Sequence, residues 1–230
     1  MTFSICGYDP ATGQLGVGAI TALPGVGKLV SHAQSGVGAA ATQAMLNPYL
    51  ALDGLALMAG GSNAQASLEK VIRRDDGREY RQLGIIDAQG NTAAWTGTKT
   101  PEWSGHLQRS NAVAQGNRLV GAETLEATME AFYEHEDLEL AYRILRALQA
   151  GEATGADRHG SVSGAIYVVD TEQYPLWDVR VDDATDPAAA LDALVETFAE
   201  ELIPQVRKLP TRADYVGEQT REAMADDASG

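Results

Sequence analysis

The sequence predicts an α+β domain in which antiparallel sheets are covered by layers of helix. Three observations predict it. Stretches with a period of two arrive in blocks joined by short turns. Amphipathic helical stretches arrive in pairs between those blocks. Strand and helix do not alternate strictly, as a doubly wound parallel sheet requires.

The elements follow in order. Phe3, Ile5 and Gly7 alternate with Thr2, Ser4, Cys6 and Tyr8, which marks a strand. The turn Asp9-Pro10 to Gly13 sends the chain back as Leu15 to Ile20. Val26 to His32 and Gly36 to Gln43 read as a second hairpin. Gly16 and Gly18, like Gly36 and Gly38, share a strand face, so another backbone or a ligand is expected to come close there. Asn47-Pro48 opens a helix to about Met58, with Leu52, Leu55 and Ala59 on one face. Ser62-Asn63 caps a second helix carrying Leu68, Val71 and Ile72.

Strands are expected at Gln82 to Asp87 and Asn91 to Thr96, then an irregular stretch from Thr98 to Arg109 and a strand near Asn111 to Gln115. Two helices carry the stripes Leu125, Met129, Phe132, Tyr133 and Leu138, Ala141, Ile144, Leu145, Leu148. Ser161 to Val169 reads as a buried strand, and Trp177, Val179 and Val181 as a half-exposed one. A last helix begins at Asp186-Pro187 and buries Leu191, Leu194, Phe198 and Leu202. No repeat or linker divides the chain, so one domain is expected over residues 1–210, with a poorly ordered acidic tail over 211–230.

Composition excludes several functions. The net charge is −15, from 32 acidic and 17 basic side chains, a field that repels nucleic acid and anionic membrane. No apolar run is long enough to span a bilayer, and no basic residue precedes Lys28, so no secretory signal is expected. One cysteine cannot close an internal disulfide, which fits a cytoplasmic location. His32, His106, His135 and His159 lack metal-ligand spacing, so no metal or other cofactor is expected. Cys6 reads as packing.

Several stretches taken together resemble one known family. They are Thr2-Phe3-Ser4-Ile5 with Gly13-Gln14-Leu15-Gly16-Val17, Gly36-Val37-Gly38-Ala39 with Ala41-Thr42-Gln43 and Asn47-Pro48, and Asp87-Ala88-Gln89-Gly90. Trp103-Ser104-Gly105-His106, Gln115-Gly116-Asn117 with Leu119 and Gly121, and Asp157-Arg158-His159-Gly160 complete the set. They resemble the family of unknown function DUF1028, grouped with the N-terminal-nucleophile hydrolases. The resemblance implies a four-layer αββα sandwich of two antiparallel sheets. Fold kinship alone does not assign a reaction.

It also implies where chemistry would sit. In N-terminal-nucleophile hydrolases the first residue of the mature chain supplies the attacking atom and, through its α-amine, the base. Here that residue is Thr2 once Met1 is removed; a β-branched residue starting a strand is the plainer reading. Lys28 could keep the amine neutral or stabilise developing charge, or be an exposed lysine. Gln43, Gln115 and Asn117 are amides at strand ends, able to orient a substrate or to cap loops. Trp103 and His106 occupy a candidate binding loop, and Arg158 could hold a substrate carboxylate. The expectation is an amide-bond hydrolase acting on a small molecule in a homo-oligomer. The alternative is a catalytically silent binding or oligomeric protein of the same fold.

Overall fold

The computed structural model describes residues 1–156 and 160–229. β1 (Thr2–Tyr8) and β2 (Leu15–Thr21) pair antiparallel from Thr2↔Thr21 to Tyr8↔Leu15. Their turn closes on Asp9, which accepts from Ala11 N and Thr12 Oγ1, and Gly13 adopts a φ of 81°. β3 (Ser31–Gln34) and β4 (Gly38–Ala44) form the second hairpin. β4 continues onto β5 (Arg81–Asp87) and β6 (Thr92–Thr96), giving a four-stranded sheet ordered β3-β4-β5-β6.

The second sheet has six strands. β7 (Gly105–Arg109), β8 (Ala112–Asn117), β9 (Ser163–Val169) and β10 (Pro175–Val181) join β1 and β2 in the order β10-β9-β2-β1-β8-β7. Every pairing in both sheets is antiparallel.

Helices cover the outer faces. α1 (Pro48–Ala59) starts at Asn47, whose side chain accepts from Tyr49 N, and α2 (Ala64–Arg74) at Asn63, which accepts from Ala66 N. Both pack on the four-stranded sheet, with Leu50, Leu55, Met58, Leu68, Val71 and Ile72 in one apolar cluster with Leu83 and Ile85. α3 (Glu123–Glu134), α4 (Leu140–Ala153) and α5 (Pro187–Glu201) cover the six-stranded sheet, burying Met129, Ile144, Leu148 and Leu191 against Phe3, Ile5 and Ile166. A third cluster, including Cys6, Val17, Ala39, Ala41, Ile86 and Val113, fills the space between the sheets. The layers are helix, sheet, sheet, helix: the expected αββα sandwich.

Several local readings differ from the sequence expectation. Val26–Lys28 is a single 3₁₀ turn rather than strand, because Gly25 takes a φ of 73° and Val26 N is drawn onto Ser163 Oγ at 3.1 Å. On α1 the buried row is Leu50, Ala51, Leu55 and Met58, while Leu52 and Ala59 face outward. Leu138 precedes α4, and Leu202 at the end of α5 is exposed. The second half of the stretch expected to be irregular is β7, an edge strand whose polar side chains hide its period. Beyond Pro210, α6 (Ile203–Val206) having ended earlier, the chain forms α7 (Glu218–Ser229). Its acids meet cations: Lys208 Nζ lies 3.3 Å from Glu218 and 3.0 Å from Glu222.

Gly38 meets a backbone as expected, the carbonyl of Ile86, whereas Gly36 is a turn residue with a φ of 66°; the pair Gly16 and Gly18 has a different cause. A Cβ on Gly16 would lie 2.7 Å from Ile144 Cδ1, and one on Gly18 2.3 Å from Ile144 Cγ2. The bare backbone there lets α4 sit close on β2; the close partner is a helix side chain.

Candidate functional site

Antiparallel register carries three polar residues to one end of the six-stranded sheet. Thr21, Thr2 and Asn117 stand abreast on β2, β1 and β8. In the other sheet Gln43, Gln82 and Thr96 stand abreast on β4, β5 and β6. The two rows are tied across the interface. Gln43 Nε2 donates to Thr2 O at 3.1 Å and to Gln82 Oε1 at 2.9 Å. Asn117 Nδ2 donates to Gln82 Oε1 at 3.0 Å, and Gln82 Nε2 donates to Gly116 O at 2.7 Å. Ser4 Oγ donates to Gln43 Oε1 at 2.8 Å.

A second polar row lies deeper, where Ser4, Gln115 and His106 stand abreast. Gln115 Nε2 donates to Ala41 O, and His106 Nδ1 lies 2.9 Å from Thr96 Oγ1. Ser4, Gln43, Gln82, Gln115 and Asn117 are all buried. An unpaired buried amide costs about 1–3 kcal/mol, so this network fixes how the sheets face each other at the end bearing Thr2. Burial also lowers the His106 pKa, leaving a neutral ring. Burial pushes the Cys6 thiol far above its usual range, so it is inert.

Above the first row opens a cleft of about 780 Å³. Thr2, Asn117 and Trp103 line it, with Met1, Leu23, Met45, Glu102, Arg118 and Leu119. Trp103 is anchored through its carbonyl, which accepts from Leu119 N at 3.1 Å. Two lining residues hold left-handed backbone: Ala44 at φ 69° and Arg118 at φ 56°. Such a conformation costs a non-glycine residue about 1–2 kcal/mol, and strain of this kind clusters at functional sites.

Met1 is a buried part of the cleft lining. Thr2 Oγ1 donates to its carbonyl at 2.9 Å, Thr21 Oγ1 at 2.5 Å and Ala22 N at 3.4 Å. The two threonine hydroxyls are 2.9 Å apart.

The sequence-expected residues therefore divide. Thr2, Trp103 and Asn117 line the cleft, and Gln43 holds Thr2 from beneath. Gln115 and His106 turn inward, because they share the deeper row with Ser4. Lys28 is not with them: it lies exposed in a separate groove with His32, Tyr167 and Arg180, since its segment turns onto β9. Arg158 lies outside the described residues. Sequence reasoning missed Thr21, Gln82 and Arg118. The first two show no signal until strand register is known; Arg118 sits one residue past a strand-end amide, and only its backbone marks it.

An αββα sandwich whose first strand delivers its leading residues to a cleft of mixed lining is thus the class that fold and site define. The chain belongs to the family of unknown function DUF1028, whose model matches residues 2–191. It is similar to a protein of Silicibacter pomeroyi from that family, known from a crystal structure. The two are 32% identical over 94% of each chain, with a TM-score of 0.86. A looser likeness, TM-score 0.42 at 14% identity over 90% of this chain and 98% of the other, is to the ancestral β-subunit Anbu from Yersinia bercovieri. No curated protein matches the sequence. Among the described residues no helix is long and apolar enough to cross a membrane.

Proposed function

We propose that this protein is an amide-bond hydrolase of the N-terminal-nucleophile type, acting on a small molecule through Thr2. The observation that supports this most is the position of Thr2. It is the leading residue of β1, on the wall of a cleft, with a hydroxyl at 2.9 Å and an amide directly across the sheet.

Once Met1 is gone, the Thr2 α-amine is a base with an ordinary pKa of about 7.7–8, so a useful fraction is neutral near pH 7. Thr2 Oγ1 attacks the amide carbonyl carbon while its proton passes to the amine, directly or through water. The tetrahedral oxyanion collapses, the C–N bond breaks, and the leaving amine takes the proton. Water then hydrolyses the acyl ester, releasing the acid and restoring Thr2. Gln43 holds the Thr2 backbone, Asn117 presents a polar group on the neighbouring strand, and Trp103 and Arg118 flank the path of the leaving group.

The same reading makes the ligand small, because 780 Å³ suits a small molecule. The single cysteine and the net charge of −15 support a cytoplasmic protein that does not bind nucleic acid. A homo-oligomer is part of the same proposal. Intact mass of natively expressed protein should show Met1 absent. In an amide-substrate panel Thr2→Ala should lose turnover by at least about 10³-fold, on the scale of removing a catalytic nucleophile. Met1 retained throughout, or activity unchanged in Thr2→Ala, would overturn the reading.

A further inference from the structure

We infer that the seat of Met1 is the acyl subsite of the cleft, built for an apolar acyl group the size of a methionine side chain. The inference rests on the Thr2 reading and adds which half of the substrate goes where.

Met1 is itself the acyl half of an amide whose nitrogen belongs to Thr2. Its carbonyl is held by two donors that are not part of the nucleophile: the Thr21 hydroxyl at 2.5 Å and the Ala22 backbone N–H at 3.4 Å. Thr21 is 2% exposed, and Thr2 Oγ1 stands beside the same carbonyl. Met1 is 8% exposed and belongs to the apolar cluster that contains Phe3 and Leu119. One end of the residue is therefore bound as a carbonyl, and the rest is bound as an apolar chain.

Removal of Met1 leaves both features without an occupant. The Thr21 hydroxyl keeps only Thr2 Oγ1 as a partner, the Ala22 N–H loses its acceptor, and an apolar hollow opens beside the hydroxyl of Thr2. An incoming amide restores both if its carbonyl points at Thr21 and Ala22 and its acyl chain enters the hollow. The leaving group then takes the rest of the cleft, whose lining includes Arg118 and Glu102. A flexible unbranched chain fits such a hollow, and a charged acyl chain would be desolvated there without a partner. Thr21 and Ala22 N are also placed to receive the developing oxyanion.

The test separates binding from turnover. Calorimetry on Met1-free Thr2→Ala protein would compare L-methioninamide, glycinamide and the α-amide of L-glutamate. Methioninamide should bind roughly tenfold tighter or more than the other two, the effect of burying most of one apolar side chain. Thr21→Val should weaken it by roughly tenfold, the cost of one buried hydrogen bond, and Thr21→Ser should restore it. Equal affinity for the three amides, or no effect of Thr21→Val in a protein that still melts cooperatively, overturns the subsite. Tight methioninamide binding together with absent turnover in the Thr2 protein upholds the subsite and removes the hydrolase reading. Turnover through Thr2 without acyl preference does the reverse.

Discussion

Buried amides at the end of a sandwich are a costly choice of residue, and here they are concentrated beneath one threonine. Gln82 is the hub: it accepts from Gln43 and Asn117, and its Nε2 faces Gly116 O, Gly105 O and Thr96 Oγ1. Gln82→Ala strands several of these groups at once. It should lower unfolding stability by on the order of 3 kcal/mol in urea titration, above the cost of one buried hydrogen bond. His106 gives a pH signature. Burial holds its folded-state pKa below the ordinary value of about 6.5. As pH falls below 6.5, the unfolded chain takes up a proton that the folded chain refuses. Stability is therefore fully present above that value, declines with acidification, and stops declining below the folded pKa. Urea midpoints at pH 7.5 and 5.5 should differ in the wild type and differ less in His106→Gln.

Elements position these residues through close packing as much as through pairing. The sheet that carries Thr2 is backed by α4, which comes close to β2 because Gly16 and Gly18, opposite Gly7 and Ile5 of β1, have no side chains. Gly18→Ala places a methyl 2.3 Å from Ile144 Cγ2 and 3.0 Å from Leu148 Cδ1. It should destabilise by about 1–3 kcal/mol, read as a lower thermal midpoint, with Gly13→Ala as a contrast that strains backbone only. Elements also show what sequence makes legible. The period of two in β1, the Asn63 cap of α2 and the apolar run of β9 each report a local fact, and each is where the pattern puts it. β7 was hidden because an edge strand with polar side chains has no apolar period. The turn at Val26–Lys28 was hidden because Val26, Leu29 and Val30 are apolar in a strand or in a turn packed on β9. Which cation approaches the cleft was not legible at all. Lys28 and Arg118 look alike along the chain, and only the left-handed backbone after β8 sets Arg118 at the rim.

At the scale of the whole molecule, two sheets meet so that the start of β1 opens onto a cleft between loops from both. Strand-end amides and a loop tryptophan were readable as candidates because polar residues in small-residue strands are conspicuous. Their convergence was not, since it depends on Thr2 facing Asn117 in one sheet while Gln43 faces Gln82 in the other. On the proposed function, a freed Thr2 performs nucleophilic attack in that cleft. Mass-spectrometric mapping after mixing Met1-free protein with a β-lactone bearing an apolar side chain tests it most directly. A single acyl adduct is expected on the Thr2 side chain, absent from Thr2→Ala and from protein that retains Met1. An adduct on another residue that persists in Thr2→Ala, or no adduct on Thr2 at all, would contradict it.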